Sequence, residues 1–255
     1  MTWLAVWLLG VGVMDLVRAG VGRRHGIAPV VGALVLVCVA LLAGLTGLAD
    51  VLALAASLIP LAGWWWFSQR AQGVRGRDHV LALGSLAVGT VAALAFSGWA
   101  RLPDGVLLRW VNWADLPLID GEVDAARLGW LLLVVALLVA NVATGNIVVR
   151  LVLVAIGALR PGAAVGTQPS DRLKGGRLLG PMERLLIVGL GLAGQLTAAG
   201  LVIGAKGLIR FPELQSRAKD GTNIDGLGID EVTEYFLIGS FASWLLALAS
   251  LALLR

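Results

Sequence analysis

Long apolar runs alternate with short polar connections along the whole chain. Seven runs stand out, at 2–17, 27–49, 51–67, 79–99, 129–150, 182–205 and 235–254. A helix needs about 20 such residues to cross hydrocarbon. No period-two alternation of a membrane barrel is present, and without water in the bilayer core the backbone must bond within each segment. The pattern therefore predicts an all-α polytopic transmembrane helix bundle of about seven spans, forming a single membrane domain over 1–255. Four spans lie within 1–99, an outer loop occupies 101–128, and three spans lie within 129–255. The second and third runs are separated by little more than Asp50. Gly44, Gly47 and Asp50 suit a tight turn there, and whether both runs cross fully stays open.

Composition agrees. The chain is 58% hydrophobic and 14% charged, with a mean hydropathy of +0.89, against about 45–50% and about 25% in soluble domains. The net charge of +4 is small, and no basic stripe with interleaved aromatics points to nucleic acid. Cys38 is the only cysteine, inside an apolar run, so an intrachain disulfide is excluded and no Cys/His metal spacing exists. His25 and His79 flank apolar runs and are expected in solvent. The opening "MTWLAVWLLGVGVMDLV" lacks a basic leader and a small-residue cleavage site, so it is expected to be a retained first helix.

Loop charge sets an expected orientation. Arg18, Arg23, Arg24, Arg70, Arg75, Arg77, Arg150, Arg160, Arg172, Lys174, Arg177, Arg184 and Arg255 fall on one side of a seven-span chain. Arg101, Arg109, Arg127, Lys206, Arg210, Arg217 and Lys219 fall on the other. Thirteen against seven places the first set in the cytoplasm, with the N-terminus outside and the C-terminus inside. Tryptophans gather near the expected span ends, as an interfacial belt would: Trp64, Trp65 and Trp66 inside, and Trp3, Trp99, Trp110, Trp113 and Trp130 outside. In the outer loop, Leu107, Trp110, Val111 and Ala114 have helical spacing, the pattern of a short helix in the interface. The polar stretch after Pro212 contains "DGTNIDG", but Thr222 and Ile224 occupy positions where a calcium loop needs oxygen ligands. Asp15 and Arg18 are spaced for an interfacial ion pair.

The sixth run carries Arg184, Gln195 and Lys206 at intervals of eleven. Pro181 suits a first helical position, Glu183 faces the positive end of the helix dipole, and Pro212 is a stop. A continuous helix from 181 to 210 would be about 45 Å long, and Arg184 and Lys206 would lie about 32 Å apart, bracketing a core of about 30 Å. Gln195 then falls near the bilayer centre and should meet another helix or a cavity. Eleven residues return to within about 20° on a helix, so the three share a face. Gly200 and Gly204 form a close-packing G-x-x-x-G pair. Asn141 and Asn146 are further intramembrane polar residues. Ser240 and Ser243 in the last span are weaker candidate partners, since hydroxyls in membrane helices usually bond their own backbone.

The segments "GRLLGPMERLLI", "GQLTAAGLVIGAKGLIRFPEL" and "TEYFLIGSFAS" resemble a family of bacterial multi-pass membrane proteins catalogued as domain of unknown function 3307. The matching positions are Gly176, Arg177, Glu183, Arg184, Gln195, Lys206, Arg210, Phe211, Glu213, Glu234, Tyr235 and Gly239, within residues 176–245. The resemblance implies a location in the bacterial cytoplasmic (plasma) membrane and a polar face built from Glu183, Arg184, Gln195, Lys206, Arg210, Glu213, Glu234 and Tyr235, with Asn141 and Asn146 beside it. The family's first helix carries histidines. Here "GVMDLVRAG" supplies only Asp15, so no metal site or cofactor carries over.

Three function classes follow. The first is a binding, scaffold or accessory protein whose partners are the lipid bilayer and, through the polar face, other membrane proteins or a second copy. The second is a transporter or channel with a polar path at Gln195. No broken helix pair or inverted repeat is evident to support it. The third is a membrane-embedded enzyme acting on lipid, without any G-x-S-x-G, H-E-x-x-H or Walker motif behind it.

Overall fold

The computed structural model describes residues 1–20, 26–71, 77–99, 103–114, 116, 117, 119, 121–159, 176–205, 208 and 229–255, with the backbone alone at 176–178 and 229–232. In chain order the helices are α1 Thr2–Gly20, α2 Ile27–Leu42, α3 Leu48–Arg70, α4 Asp78–Ser97, α5 Val106–Ala114, α6 Ala125–Val142, α7 Thr144–Ala155, α8 Gly176–Leu192, α9 Leu196–Ala205 and α10 Ile229–Leu253. No strand occurs among the described residues. Among the described residues, five helices (α1, α3, α4, α6 and the Thr233–Leu253 part of α10) are long and apolar enough to cross a membrane.

The distribution of side-chain size is that of a protein solvated by lipid. On α2 the buried positions are Ala28, Gly32, Leu36 and Ala40, one per turn, whereas Val30, Leu34 and Leu41 face outward. On α4, Ala82, Gly89 and Ala93 are buried while Val80, Val88 and Val91 are exposed. In water the large aliphatics would turn inward. In lipid they lose nothing by facing out, and small residues let the backbones approach.

Two compact units divide the chain. Unit 1 holds residues 1–67, 81–144 and 254; unit 2 holds 68–80, 145–253 and 255.

Unit 1 is organised around α1, which is buried on nearly every side. A Cβ at Gly10 would meet Leu36 and one at Gly32 would meet Met14, so α2 runs antiparallel to α1. Trp7 donates to Thr90 at 3.2 Å and Ser97 accepts the backbone N–H of Leu4 at 3.3 Å, so α4 is antiparallel too. Trp3 bonds Asp50 and Trp64 bonds Asp15, so α3 is parallel. Thr2 faces Gly129 and Gly12 faces Val139, so α6 is also parallel. The α2–α3 connection closes on Gly44 with φ +82°, and the Gly47 N–H is held by Asp50 Oδ2 at 3.0 Å, half of a capping box. The tight turn expected at Gly44, Gly47 and Asp50 is therefore present.

Gly89 is obligatory in this packing. A Cβ there would run into the Trp7 ring.

Two sequence expectations change. The 129–150 run is two helices that break at Ala143. The 182–205 run is also two helices. α8 begins at Gly176, which leaves Pro181 inside it rather than at its start. It ends where the Gly194 N–H bonds the Gly191 carbonyl at 3.1 Å and the Gln195 N–H bonds the Leu190 carbonyl at 2.8 Å. This is a Schellman motif with Gly194 at φ +74°. The remainder of the 181–210 helix, from Lys206 to Arg210, lies outside the described residues except for Leu208. The indole N–H of Trp130 donates to the Leu254 carbonyl at 3.2 Å, beside Gly129 and Thr2, so Thr2 and Leu254 meet the same end of α6.

Candidate functional site

Two clusters of buried polar side chains stand out, one in each unit. In unit 1, Asp15 is 1% exposed. Trp64 donates its indole N–H to both carboxylate oxygens, at 3.3 and 3.1 Å. The Thr144 hydroxyl donates to Oδ2 at 2.8 Å, and Arg18 Nη2 lies 3.2 Å from Oδ1. The Asp15–Arg18 pair therefore forms, buried in protein. Asp15 is a mid-helix anion whose lone pairs draw donors from α1, α3 and the start of α7. An unpaired charge in such surroundings would cost several kcal/mol.

About 18 Å away along α1 lies a mirror of this contact. Trp3 Nε1 donates to Asp50 Oδ1 at 2.9 Å, and Asp50 is also buried. The two contacts are reciprocal: α1 supplies a tryptophan at one end and a carboxylate at the other, and α3 does the reverse. Indole N–H is a donor only and carboxylate an acceptor only, so the pairs fix both the direction and the register of α3 against α1.

In unit 2 the buried cation is Arg184, also 1% exposed. Its Nη1 donates to Ser243 Oγ at 2.9 Å and its Nη2 to Asn146 Oδ1 at 2.6 Å. A Cβ at Gly145 would come within 2.9 Å of its Nε. One guanidinium thereby ties α7, α8 and α10 together. Ser243 is the midpoint of the apolar stretch Thr233–Leu253. Gly191 packs on Leu251, close to the end of α10, so α8 and α10 run in the same direction.

Two positions differ from the roles read from the sequence. Arg184, expected to snorkel at a membrane edge, is buried at the level of Ser243, the midpoint of the apolar part of α10. Gln195, expected to meet another helix or a cavity from within a continuous helix, is exposed in the α8–α9 connection. The physical reason is the start of α8 at Gly176 and the stop at Gly194, which together shift the frame along the helix.

Of the other expected site residues, Glu183 is half-buried on α8. On α10, Glu234 is exposed and Tyr235 half-buried. Asn141 is buried and donates to its own helix at the Leu137 carbonyl, at 2.8 Å. Lys206, Arg210 and Glu213 lie outside the described residues. The structure joins Asn146 to Arg184 directly, and it separates Gln195 from both by the break at Gly194. Sequence reading missed Trp64, Thr144, Trp3 and Asp50 as partners, and held Ser243 only as a weak candidate partner, with no bond to Arg184 assigned. The signal that could have found them was the demand side: a carboxylate inside an apolar helix needs donors, and tryptophan and threonine are the donors apolar helices carry. Among the described residues no three His, Cys, Asp or Glu side chains gather as a metal site. No protein-family model, curated protein or solved structure matches the chain.

Proposed function

We propose that the chain is a multi-pass accessory or scaffold protein of the bacterial plasma membrane, kin to the family that residues 176–245 resemble. One observation carries the reading. The buried ionic side chain Asp15 is bonded by Trp64, Thr144 and Arg18, so its charge is committed to joining helices. Such a knot gives a rigid bundle that can hold partners in place.

The topology belongs to the same proposal. Parallel α1 and α3 require α2 to cross back between them, which supports α2 as a sixth crossing beside the five long helices. Thr2 and Leu254 at one end of α6 support an even number of crossings. With α1, α2, α3, α4, α6 and α10 as the six, the α7–α9 region starts and finishes on the cytoplasmic side. Lys206, Arg210, Arg217 and Lys219 then join the inner set and Arg255 leaves it. With the buried Arg184 left out, the basic count becomes fifteen inside against four outside, a sharper asymmetry than thirteen against seven. Cysteines placed at Glu234 and Arg255 in a Cys38→Ser background test this with a membrane-impermeant maleimide on intact cells. Labelling at 255 but not at 234 is expected. The reverse pattern sinks the six-crossing arrangement and restores the seven-span one.

A second reading, transport, is favoured by Arg184. Ionisable groups at mid-span mark polar pathways by default, and α8 is a broken helix of the kind transporters use. Purified protein in liposomes separates the two. The scaffold reading expects no proton or ion flux above that of empty vesicles, and a flux abolished by Arg184→Gln in a folded protein would overturn it.

A further inference from the structure

We propose that α5 is a lipid-surface anchor whose Trp110 and Trp113 face seats in the outer headgroup layer. The proposal rests on the reading of the bundle as membrane-spanning.

The inner side of α5 is fully occupied by protein. Val111 is buried against Val123 and Leu128, with Leu107, Leu108 and Ile119 packed around them. The opposite side carries Val106, Arg109, Trp110 and Trp113, at i, i+3, i+4 and i+7, all exposed; Trp110 is 50% and Trp113 81% exposed.

The depth of α5 is fixed from both ends. Just before it, the Gly105 N–H donates to the Ala43 carbonyl at 3.2 Å, at the C-terminal cap of α2. Near its end, Asn112 clamps Val123, accepting the N–H at 2.8 Å and donating to the carbonyl at 3.0 Å, one residue before the N-cap of α6. α5 therefore lies across the level where α2 stops and α6 starts. Trp99, 77% exposed just past the end of α4, belongs to the same end of unit 1, since Ser97 bonds Leu4 there.

The occupant follows from the chemistry. An indole has an apolar body and one N–H donor, and it favours the ester and phosphate zone over both water and hydrocarbon. Arg109 on the same face complements lipid phosphate. The lipid-facing surface of the bundle runs up to this level through Val91 and Leu94 of α4, so the α5 face continues a surface that lipid already covers. A water-facing helix would gain nothing from two large exposed rings.

Nitroxide depth measurement in phosphatidylcholine vesicles tests this. In the Cys38→Ser background, Trp113→Cys and Val91→Cys are each spin-labelled and compared for relaxation by oxygen and by a water-soluble nickel chelate. The anchor predicts hydrocarbon depth for Val91 and a shallow position near the phosphates for Trp113, with both reagents giving intermediate access. If Val91 is deep but the label at 113 has the nickel access of a free aqueous label, α5 faces water and the proposal fails. If 113 is shielded from both reagents, protein covers it and the proposal fails equally. If Val91 itself is aqueous, the membrane reading fails first and takes the anchor with it. Trp113 is exposed, so its replacement leaves the fold intact, and Trp110→Cys repeats the measurement one turn away.

Discussion

The indole N–H of Trp64 lies 3.1 Å from Oδ2 of Asp15, joining α3 to α1 at a buried carboxylate. At the other end of the same helix pair the donor and acceptor are exchanged, with Trp3 bonded to Asp50. Apolar contact alone allows two such helices to slide by a turn. Reciprocal donor–acceptor pairs do not, because a slip would strand both carboxylates at once.

Trp64→Phe keeps the ring and removes only the donor. A hydrogen bond to a charged group contributes about 1.5–3 kcal/mol, and a loss in that range is expected in the thermal unfolding of detergent-solubilised protein. Asp15→Ala should cost more, about 3–5 kcal/mol, because it leaves Arg18 buried without its carboxylate. Trp66→Phe is the control, since Trp66 is exposed. Equal destabilisation by Trp64→Phe and Trp66→Phe would show that the Asp15 bond contributes nothing.

At Arg184 the geometry separates two cations of the same charge. The guanidinium reaches Ser243 and Asn146 with different nitrogens, and an ammonium on a flexible stem cannot reproduce that fork. Arg184→Lys should therefore lower stability nearly as far as Arg184→Gln. Ser243→Ala should cost about 1.5–3 kcal/mol, well beyond Ser250→Ala, whose hydroxyl bonds its own helix at the Leu246 carbonyl. A wild-type melting curve for Arg184→Lys would mean that charge, and not the fork, is what α8 supplies.

Gly89 and Trp7 form a testable packing pair. Gly89→Ala forces the indole away from α4 and is expected to cost about 1–3 kcal/mol through overpacking. Trp7→Phe should relieve part of that clash, so the double variant should be more stable than the sum of the single losses allows. Strict additivity in this double-mutant cycle would indicate that the two residues do not touch.

How much of this was legible in the sequence follows from what each feature depends on. The helices and their lipid solvent are written in local hydropathy, so the runs near 2–17, 51–67 and 79–99 map onto α1, α3 and α4. The Gly44 turn and the α5 helix were legible because glycine, aspartate and tryptophan punctuate locally. Arg18 was legible as a partner of Asp15 because it lies one turn away, but the long-range bonds of Asp15 and Arg184 were not, since Trp64, Thr144, Ser243 and Asn146 lie 38 to 129 residues away and each has an ordinary local explanation as belt, filler or self-bonded hydroxyl. For Gln195 the reason differs. Its depth was inferred from even spacing along an assumed continuous helix, and "LAGQ" contains the one residue type that ends a helix without changing its apolar character.

That break gives the last prediction. Gly194 has φ +74°, where a Cβ collides with the following carbonyl at a cost of about 1–2 kcal/mol. Gly194→Ala should destabilise by that amount, and Gly194→Asn by less, because asparagine tolerates the left-handed region. Gly200 lies inside α9, and a methyl group there would meet nothing within 4 Å, so Gly200→Ala should be neutral or stabilising by up to about 1 kcal/mol through helix propensity. The opposite signs at two glycines six residues apart are the signature of a stop followed by a new helix. Stabilisation by alanine at both positions in thermal unfolding would mean instead that one continuous helix runs through Gln195, and would return that amide to the depth its spacing from Arg184 implies.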